Sequence, residues 1–345
     1  MQITRLKNIP TLLSSLLALA GCASFRQNAD EVLIRDPSIG SYSTPSAAQS
    51  TAKLHWEYAA MSENAYQEGR ASAAAKRTEF TRTQQYSDDF SEKAFADACA
   101  DERKGIPLRG WGRWDFPSKN LQARMLKEGM YLEVLEREEE PHTIVVVFEG
   151  TNFTELPDWK ANFRWFLRFI PGFKDQYTLV AQDVAKEFFD AISSTPEKYR
   201  IDLSSGKLVS KTGEPIRIVA TGHSLGGGLA QNFAYAFKQD PIESRGPKVS
   251  EVFAFDPSPV TGWFSVPDPP RSYNAEDLVV NRVFEHGEVL SYIRLLTSRF
   301  AVSSKNPAIW EYRYNFDIDA NIIGNHSMRR LACGLTRLAQ PWLQE

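Results

Sequence analysis

A short stretch near the middle of the chain carries the residue types that nucleophilic chemistry requires. An apolar run over residues 216–220 leads into Gly-His-Ser-Leu-Gly at residues 222–226, and an Ala-rich segment with apolar periodicity follows over 229–237. The pattern predicts a strand, a sharp turn and a helix, with Ser224 at the turn. The two glycines remove side chains that would clash there, and the helix start directs N–H groups at the reacting oxygen. The stretch indicates a serine nucleophile; the alternative is a Gly-rich turn whose serine caps the helix.

A serine hydroxyl needs a base, and in a strand–turn–helix setting of this kind the acid and the histidine follow the serine along the chain. The chain has five histidines. His55 and His142 precede the nucleophile and are expected at the surface or in packing, and His223 is expected to point away from the serine. Of the remaining two, His286 and His326, the second lies in a loop between the last predicted strand and helix. We expect His326 to be the base; the alternative is a histidine that caps the last helix.

Two carboxylates are candidates for the acid that orients the histidine. Glu288 and Asp256 both lie just past the end of a predicted strand. The acid fixes the tautomer of the histidine and stabilises the imidazolium, so Glu can take the place of Asp where the backbone sets the reach. We take Glu288 as the acid and keep Asp256 as the alternative.

The elements that position these side chains alternate along the chain. Predicted strands cover residues 130–135, 143–148, 216–221, 252–255, 278–284 and 309–314, and predicted helices cover 51–67, 71–100, 175–193, 229–237 and 326–338. Strands that alternate with helices predict an α/β protein with a mostly parallel sheet and helices on both faces. We see no Pro/Gly linker within residues 51–345, which predicts one domain over that range.

The N-terminus has the pattern of a targeting segment. Arg5 and Lys7 precede an apolar run over residues 9–20, too short to span a bilayer, which leads to Leu-Ala-Gly-Cys ending at Cys22. This resembles a bacterial lipoprotein signal, and the resemblance implies cleavage before Cys22 and acylation of that cysteine. Residues 23–24 are Ala and Ser, which in that family favours the outer membrane. The alternative is an ordinary secretory signal with an incidental cysteine.

These patterns predict a signal peptide over residues 1–21, a flexible tether over 22–50 and a globular domain over 51–345. The tether is rich in Ser, Ala, Pro, Asn and Gln. We expect an exported protein, anchored by lipid at Cys22 to a bacterial membrane, most simply the outer membrane facing the periplasm or the cell surface. Two acyl chains or more hold a protein on a membrane without a transmembrane helix.

The composition of the chain limits the classes of function that remain. The chain has 345 residues, 42% hydrophobic and 12% aromatic, which suffices for a large domain, and its net charge of −3 gives no sign of nucleic-acid binding. No His/Cys/Asp group has metal-ligand spacing, so we expect neither a catalytic metal nor a cofactor. Cys99 and Cys333 both lie in the predicted domain. The sequence leaves open whether they form a disulfide or stay as two buried thiols.

Several motifs together resemble the class 3 lipases over roughly residues 55–335. The elbow at 222–227 is similar to the one in that family, residues 147–151 look like its oxyanion strand with Glu149 in place of the usual Arg, and Asp158-Trp159 with Asn162 looks like the segment that follows. The segments that contain Glu288 and His326 match those of the family in spacing, with Glu288 in place of the usual Asp. The resemblance implies an α/β-hydrolase fold and an oxyanion hole made by the N–H groups of Thr151 and Leu225.

The segment after the oxyanion strand has two distinct faces. Its apolar face carries large side chains at helical spacing, and Lys160, Arg164 and Arg168 follow one another at i, i+4 and i+8 on another face. The family resemblance implies a lid at this place in the chain; the alternative is an ordinary amphipathic helix packed on the core. The residues of the expected lid face are Trp159, Phe163, Phe166, Leu167 and Ile170.

The expected function is hydrolysis of carboxylic esters of lipids, triacylglycerol or phospholipid, by a serine–histidine–acid triad at a membrane surface. The expected partners are the lipid or ester substrate and the membrane reached through Cys22. Two alternatives remain: a carboxylesterase that acts on soluble short-chain esters, and a non-catalytic anchored module that keeps a hydrolase fold.

Overall fold

The structure is a computed structural model that describes residues 27–39, 41–74, 79–80, 90–150, 174–202, 204–237, 246–288, 290, 306–316 and 324–343. In the first half of the chain the elements are β1 Glu31–Arg35, β2 Ser46–Ala47, α1 Gln49–Ala74, α2 Glu92–Ala100, β3 Gly112–Arg113, α3 Lys119–Lys127, β4 Leu132–Arg137 and β5 Thr143–Phe148.

In the second half a long helix comes first, made of α4 Lys174–Leu179, a π-helical turn Val180–Val184 and α5 Ala185–Ser193. The later elements are β6 Tyr199–Ile201, β7 Leu208–Ser210, β8 Arg217–His223, α6 Leu225–Ala236, β9 Glu251–Phe255, α7 Arg271–Ala275, β10 Val279–Glu285, β11 Ala308–Tyr314, a 3₁₀ turn Gly324–His326, α8 Met328–Ala339 and a 3₁₀ turn Pro341–Leu343. Within the described ranges, no helix has the length and apolar character that a membrane crossing requires.

A large mixed sheet forms the centre of the molecule. In the part of the chain that the structure describes, nine strands follow the order β2-β1-β11-β10-β9-β8-β5-β4-β3. The five central strands, β5, β8, β9, β10 and β11, run parallel to one another, and antiparallel strands close both edges. The carboxyl ends of parallel strands meet at one edge of a sheet, where α/β proteins place their sites. The predicted α/β-hydrolase fold is confirmed.

Helices cover both faces of this sheet, and β5 shows how its residues are shared between them. Ile144 and Val146 belong to the apolar cluster that contains α3, α5 and α6, whereas Val145 and Val147 belong to the cluster that contains α1 and α8. A strand covered on both faces reads as a continuous apolar run because both of its side-chain rows are buried. The central strands are therefore held rigidly where they deliver residues to the carboxyl edge.

The prediction of a flexible tether over residues 22–50 is wrong for its second half. β1 pairs antiparallel with β11, with Leu33 opposite Arg313 and Arg35 opposite Glu311. Val32 is fully buried, so burial of its side chain and the ladder hydrogen bonds offset the polar composition around it. The globular part of the chain therefore starts before residue 51. The predicted signal peptide and Cys22 lie outside the described residues.

The prediction of a single helix over residues 71–100 is also wrong. α1 ends at Ala74, and α2 begins only after Ser91, whose backbone is extended at φ −104° and ψ 157°. The Ser91 hydroxyl accepts the N–H of Ala94 at 3.2 Å. Serine bonds its own neighbouring backbone more readily outside helices than inside them, which makes it a helix start rather than a helix interior.

A disulfide and a buried arginine hold α8 against α1 and α2. Cys99 and Cys333 are bonded, with their Cα atoms 6.1 Å apart, which decides between the two states that the sequence left open. Arg329 forms a buried ion pair with Glu63 at 2.7 Å. Its guanidinium also donates to main-chain carbonyls that follow α2, those of Asp101 (3.2 Å), Glu102 (3.2 Å) and Lys104 (3.1 Å). α8 begins two residues after His326, so these contacts fix the element that follows the predicted base.

Candidate active site

The predicted nucleophile lies in a strained turn between β8 and α6. Ser224 has φ 55° and ψ −120°, a conformation that a non-glycine residue keeps only where its surroundings enforce it. The Ser224 N–H donates to the carbonyl of Phe255 and its carbonyl accepts the N–H of Ser258, both at 2.9 Å. The Ser224 side chain makes no capping hydrogen bond to α6, so the alternative of a helix-capping serine does not describe this turn.

The glycines on either side of the serine are required by close backbone contacts. A Cβ atom at Gly222 would lie 2.5 Å from the carbonyl carbon of Gly226, and one at Gly226 would collide with the carbonyl of Phe148. Both contacts are with main chain, which cannot move aside. The sequence pattern around Ser224 therefore follows from the geometry of the turn itself.

The structure brings Ser224, His326 and Glu288 into one hydrogen-bonded chain. His326 Nε2 lies 3.1 Å from Ser224 Oγ, and His326 Nδ1 lies 2.9 Å from Glu288 Oε2. All three side chains are buried. The same Glu288 oxygen also accepts the N–H of Leu290 at 2.7 Å, which fixes the carboxylate. The order is the one in which a serine hydroxyl can pass its proton to an imidazole that a carboxylate orients.

Asp256, the alternative acid, faces a different histidine. Its Oδ1 accepts the N–H of Glu285 at 3.0 Å, and its Oδ2 lies 3.9 Å from His223 Nε2. Asp256 is fully buried and has a positive φ of 38°. The hydrogen bond to Nδ1 of His326 comes from Glu288, so Asp256 stands beside the predicted triad.

The surroundings of His223 were not foreseen from the sequence. Its Nδ1 lies 2.7 Å from the hydroxyl of Tyr66 on α1, and its ring centroid is 4.7 Å from that of His326. Burial, with the nearby charge of a protonated His326, holds the pKa of His223 well below its usual range. His223 is therefore a neutral imidazole packed against the predicted base. Its position at the end of β8, directly before the nucleophile, was the available signal, but Tyr66 is 157 residues away.

The other three histidines have packing roles or lie beside the site. His55 is fully buried, with Nδ1 3.0 Å from the Tyr314 hydroxyl, and burial lowers its pKa to about 3. His142 Nε2 lies 2.7 Å from the buried carboxylate of Glu136. His286 is half-buried and follows β10, and burial lowers its pKa.

Part of the predicted oxyanion hole can be located. Leu225 is the first residue of α6, where backbone N–H groups have no partner within the helix and point out of its end. The end of β5 is packed against this turn, because a Cβ atom at Gly150 would collide with the carbonyl of His223. Thr151 lies outside the described residues, as do the predicted lid residues Trp159, Phe163, Phe166, Leu167 and Ile170.

The strand order and the strand–turn–helix at Ser224 define the protein as one with an α/β-hydrolase fold. Residues 145–263 match the family model Lipase (class 3). This match supports the class 3 lipase family and, in general terms, an ester hydrolase that acts on lipids. No curated protein matches the chain.

Among solved structures, the native Rhizomucor miehei lipase propeptide complex is similar to this chain. The sequences are 14% identical, the alignment covers 78% of this chain and 67% of that chain, and the TM-score is 0.38. The assignment of the fold rests on the strand order and the register described above.

Proposed function

We propose that the protein is a serine hydrolase of lipid carboxylic esters, of the triacylglycerol lipase or phospholipase A type. The hydrogen-bonded chain from Ser224 through His326 to Glu288, at the carboxyl edge of a parallel sheet, is the observation that carries this proposal. The class 3 lipase match over residues 145–263 supports a lipid ester as the substrate class.

In the proposed reaction Ser224 Oγ attacks the ester carbonyl carbon while His326 Nε2 takes the hydroxyl proton. His326 then returns this proton to the departing alcohol, and Glu288 keeps the imidazole in the required tautomer throughout. Water, deprotonated by the same imidazole, releases the acyl group from Ser224. The N–H of Leu225 and, from the family resemblance, that of Thr151 stabilise the negative oxygen of each tetrahedral intermediate. Loss of such a donor costs about 2.7–4 kcal/mol of transition-state stabilisation.

The geometry of the site argues against one of the two alternative functions, the non-catalytic module, and is compatible with the other, the carboxylesterase. A non-catalytic module has no need of a strained serine whose hydroxyl lies 3.1 Å from a buried imidazole, since strain of this kind persists mainly at functional sites. A carboxylesterase of soluble short-chain esters would use the same three side chains. A lipase and such a carboxylesterase differ in the substrate and in its physical state, so activity on a series of esters of increasing chain length decides between them.

The proposed function predicts a preference for aggregated, long-chain esters. Wild-type protein and Ser224→Ala are assayed on p-nitrophenyl esters of increasing chain length, each below and above its critical micelle concentration. The expected result is a rise in wild-type activity when the ester aggregates and no activity for Ser224→Ala. Activity confined to short-chain monomers would instead support the carboxylesterase.

We further propose that residues 159–170 cover the site in water and move aside at a lipid surface. An aromatic face is costly to expose to water unless it covers a groove or enters a bilayer, and its three basic residues would contribute about 1 kcal/mol each near anionic head groups. Phe166→Ser with Ile170→Ser is expected to lower activity on aggregated lipid and to spare activity on a short-chain ester. On a neutral triacylglycerol emulsion, where basic residues have no anionic head groups to bind, Lys160→Ser with Arg168→Ser is the control for the apolar face and should keep both activities.

The lid proposal has a clear contrary outcome. If this segment is a helix of the core, the double substitution of Phe166 and Ile170 will lower both activities together with the melting temperature, because large-to-polar changes in a core unfold a domain. Both substrates and the melting temperature are therefore measured on one preparation.

We also propose export and anchoring of the chain through acylated Cys22. Cys22→Ser is expected to abolish incorporation of radiolabelled palmitate and to leave the protein in the soluble periplasmic fraction. Cys99→Ser is the matched control, because Cys99 is bonded to Cys333, and this variant should still be acylated. A Cys22→Ser protein that stays with the membranes after a high-salt wash would contradict the anchor and indicate a domain that binds lipid directly.

A further inference from the structure

Three side chains from separate elements converge beside the serine. His223 ends β8, Asp256 follows β9, and His326 lies in the 3₁₀ turn before α8. Within the part of the chain that the structure describes, one nitrogen or oxygen of each lies within 4.8 Å of those of the others, and all three residues are buried. Two imidazoles and a carboxylate are a donor set with which proteins build three-ligand zinc sites that keep a coordination position open.

Each of these side chains has its other polar atom held by a neighbour. Hydrogen bonds of this kind orient the ligands of zinc sites and fix which histidine nitrogen is available to the metal. The three contacts join His223 Nδ1 to the Tyr66 hydroxyl (2.7 Å), Asp256 Oδ1 to the N–H of Glu285 (3.0 Å) and His326 Nδ1 to Glu288 Oε2 (2.9 Å). The atoms of these three groups that would bind an ion are the two Nε2 nitrogens and Asp256 Oδ2.

The second, independent observation is the state of His223 Nε2. This nitrogen is buried and, among the described residues, has no hydrogen-bond partner, although His223 is only 3% exposed. It lies 3.9 Å from Asp256 Oδ2, beyond hydrogen-bonding distance. Two atoms that each lie about 2.1 Å from one zinc ion are separated by at most about 4.2 Å. In a tetrahedral zinc site two such ligand atoms are about 3.4 Å apart, so the ion would draw this pair about 0.5 Å closer together than the 3.9 Å observed.

The backbone of Asp256 agrees with this interpretation. Asp256 holds its buried carboxylate on a backbone with φ 38°, and residues strained in this way cluster at functional sites.

We propose that His223, Asp256 and His326 form an inhibitory zinc site. The ion binds His223 Nε2, Asp256 Oδ2 and His326 Nε2, and it replaces the hydrogen bond that Ser224 makes to His326. The lone pair that would accept the serine proton is then engaged by the metal, so bound zinc and catalysis exclude each other. Binding of the ion rests on the geometry alone, whereas inhibition also rests on the proposed function.

Binding is tested without catalysis. Zn²⁺ is titrated by calorimetry into the full chain carrying Ser224→Ala and no affinity tag, and Co²⁺ is added in parallel to record the visible absorption of a four-coordinate ion. We expect one ion per chain. Tyr66→Phe should weaken binding by about 10–100-fold, as loss of a hydrogen bond to a zinc ligand does elsewhere, and Asp256→Asn should weaken it at least as much. His286→Gln, a change at a more accessible histidine, should leave the affinity unchanged.

Inhibition is tested on the otherwise unaltered chain. Zn²⁺ should abolish ester hydrolysis reversibly, a chelator should restore it, and Tyr66→Phe should raise the inhibitory concentration by the same factor as the dissociation constant. Zinc that binds equally well to wild type, Asp256→Asn and Tyr66→Phe would overturn the site. Zinc bound by these ligands without any effect on a demonstrated activity would overturn the inhibition. A chain that binds zinc in this way but hydrolyses no ester would instead contradict the proposed function.

Discussion

Replacement of Ser224 or His326 by alanine is expected to lower kcat/KM for ester hydrolysis by roughly 10⁴-fold or more, and the double variant should be no worse than the worse single one. The reason is that the two side chains perform one step together: the hydroxyl, 3.1 Å from His326 Nε2, becomes a nucleophile only as its proton leaves. Once either group is removed, the other has nothing to act on. The residual rate then comes from substrate binding and from the oxyanion donors.

Ser258→Ala is the matched control for this comparison. Ser258 is as buried as Ser224 and lies at the same edge of the sheet, with its N–H bonded to the Ser224 carbonyl at 2.9 Å. Its hydroxyl accepts the N–H of Val260 at 3.1 Å. Its side chain also forms a hydrogen bond with Tyr177. We expect this variant to keep activity within about tenfold, because each lost hydrogen bond contributes about 1 kcal/mol to stability and nothing to proton transfer. Multiplicative losses in the Ser224/His326 double variant would mean that the two residues act in separate steps.

Glu288→Gln is expected to lower kcat by up to about 10⁴-fold, with little change in stability. A glutamine can present its N–H₂ to Nδ1 of His326, and this would leave Nε2 carrying the proton, so that it could no longer accept one from Ser224. The carboxylate that stabilises the imidazolium is lost as well. Asp256→Asn is the matched change, since both carboxylates are fully buried and both follow neighbouring strands.

Asp256→Asn should lower kcat far less than Glu288→Gln does when both variants are assayed with a chelator present. Asp256 faces His223 at 3.9 Å, whereas Glu288 lies 2.9 Å from His326 Nδ1. The kcat of each variant and its melting temperature are measured on the same preparations. A larger kcat loss for Asp256→Asn, in a protein that melts like the wild type, would transfer the role of the orienting acid to Asp256.

The parts of the candidate site whose backbone could be predicted from the sequence are those with local geometry. The turn at Ser224 requires glycine at 222 and 226 because of contacts with main chain nearby in the fold, so the motif carries its own evidence. The buried strand β5 was predicted at the bounds observed, Thr143–Phe148, because six consecutive apolar or β-branched residues fit a strand covered on both faces.

The sequence favours Glu288 over Asp256 but leaves both open, because the choice depends on where the chain turns after each strand. Gly287 has a positive φ of 72°, and this turn after β10 brings Glu288 to His326. Asp256 comes directly after β9 and stays beside His223. Chain order and spacing are similar in both cases, whereas the direction of the turn is a property of the folded backbone.

Long-range contacts account for the remaining differences. The pairing of β1 with β11 joins residues about 280 positions apart, and the disulfide joins residues separated by 234 positions. Neither contact leaves a local pattern, so the polar composition of residues 22–50 alone predicts a tether. The contact between Tyr66 and His223 is of the same kind and connects α1 to the site.

The most direct test of the central claim is covalent labelling of the nucleophile. The full chain is incubated with an alkyl fluorophosphonate, digested and mapped by mass spectrometry, alongside Ser224→Ala and Ser258→Ala. The account predicts one phosphonylated residue, Ser224, in the wild type and in Ser258→Ala, loss of ester hydrolysis in proportion to labelling, and no label in Ser224→Ala. A label at any other residue, or no label in a preparation that hydrolyses ester, would contradict it.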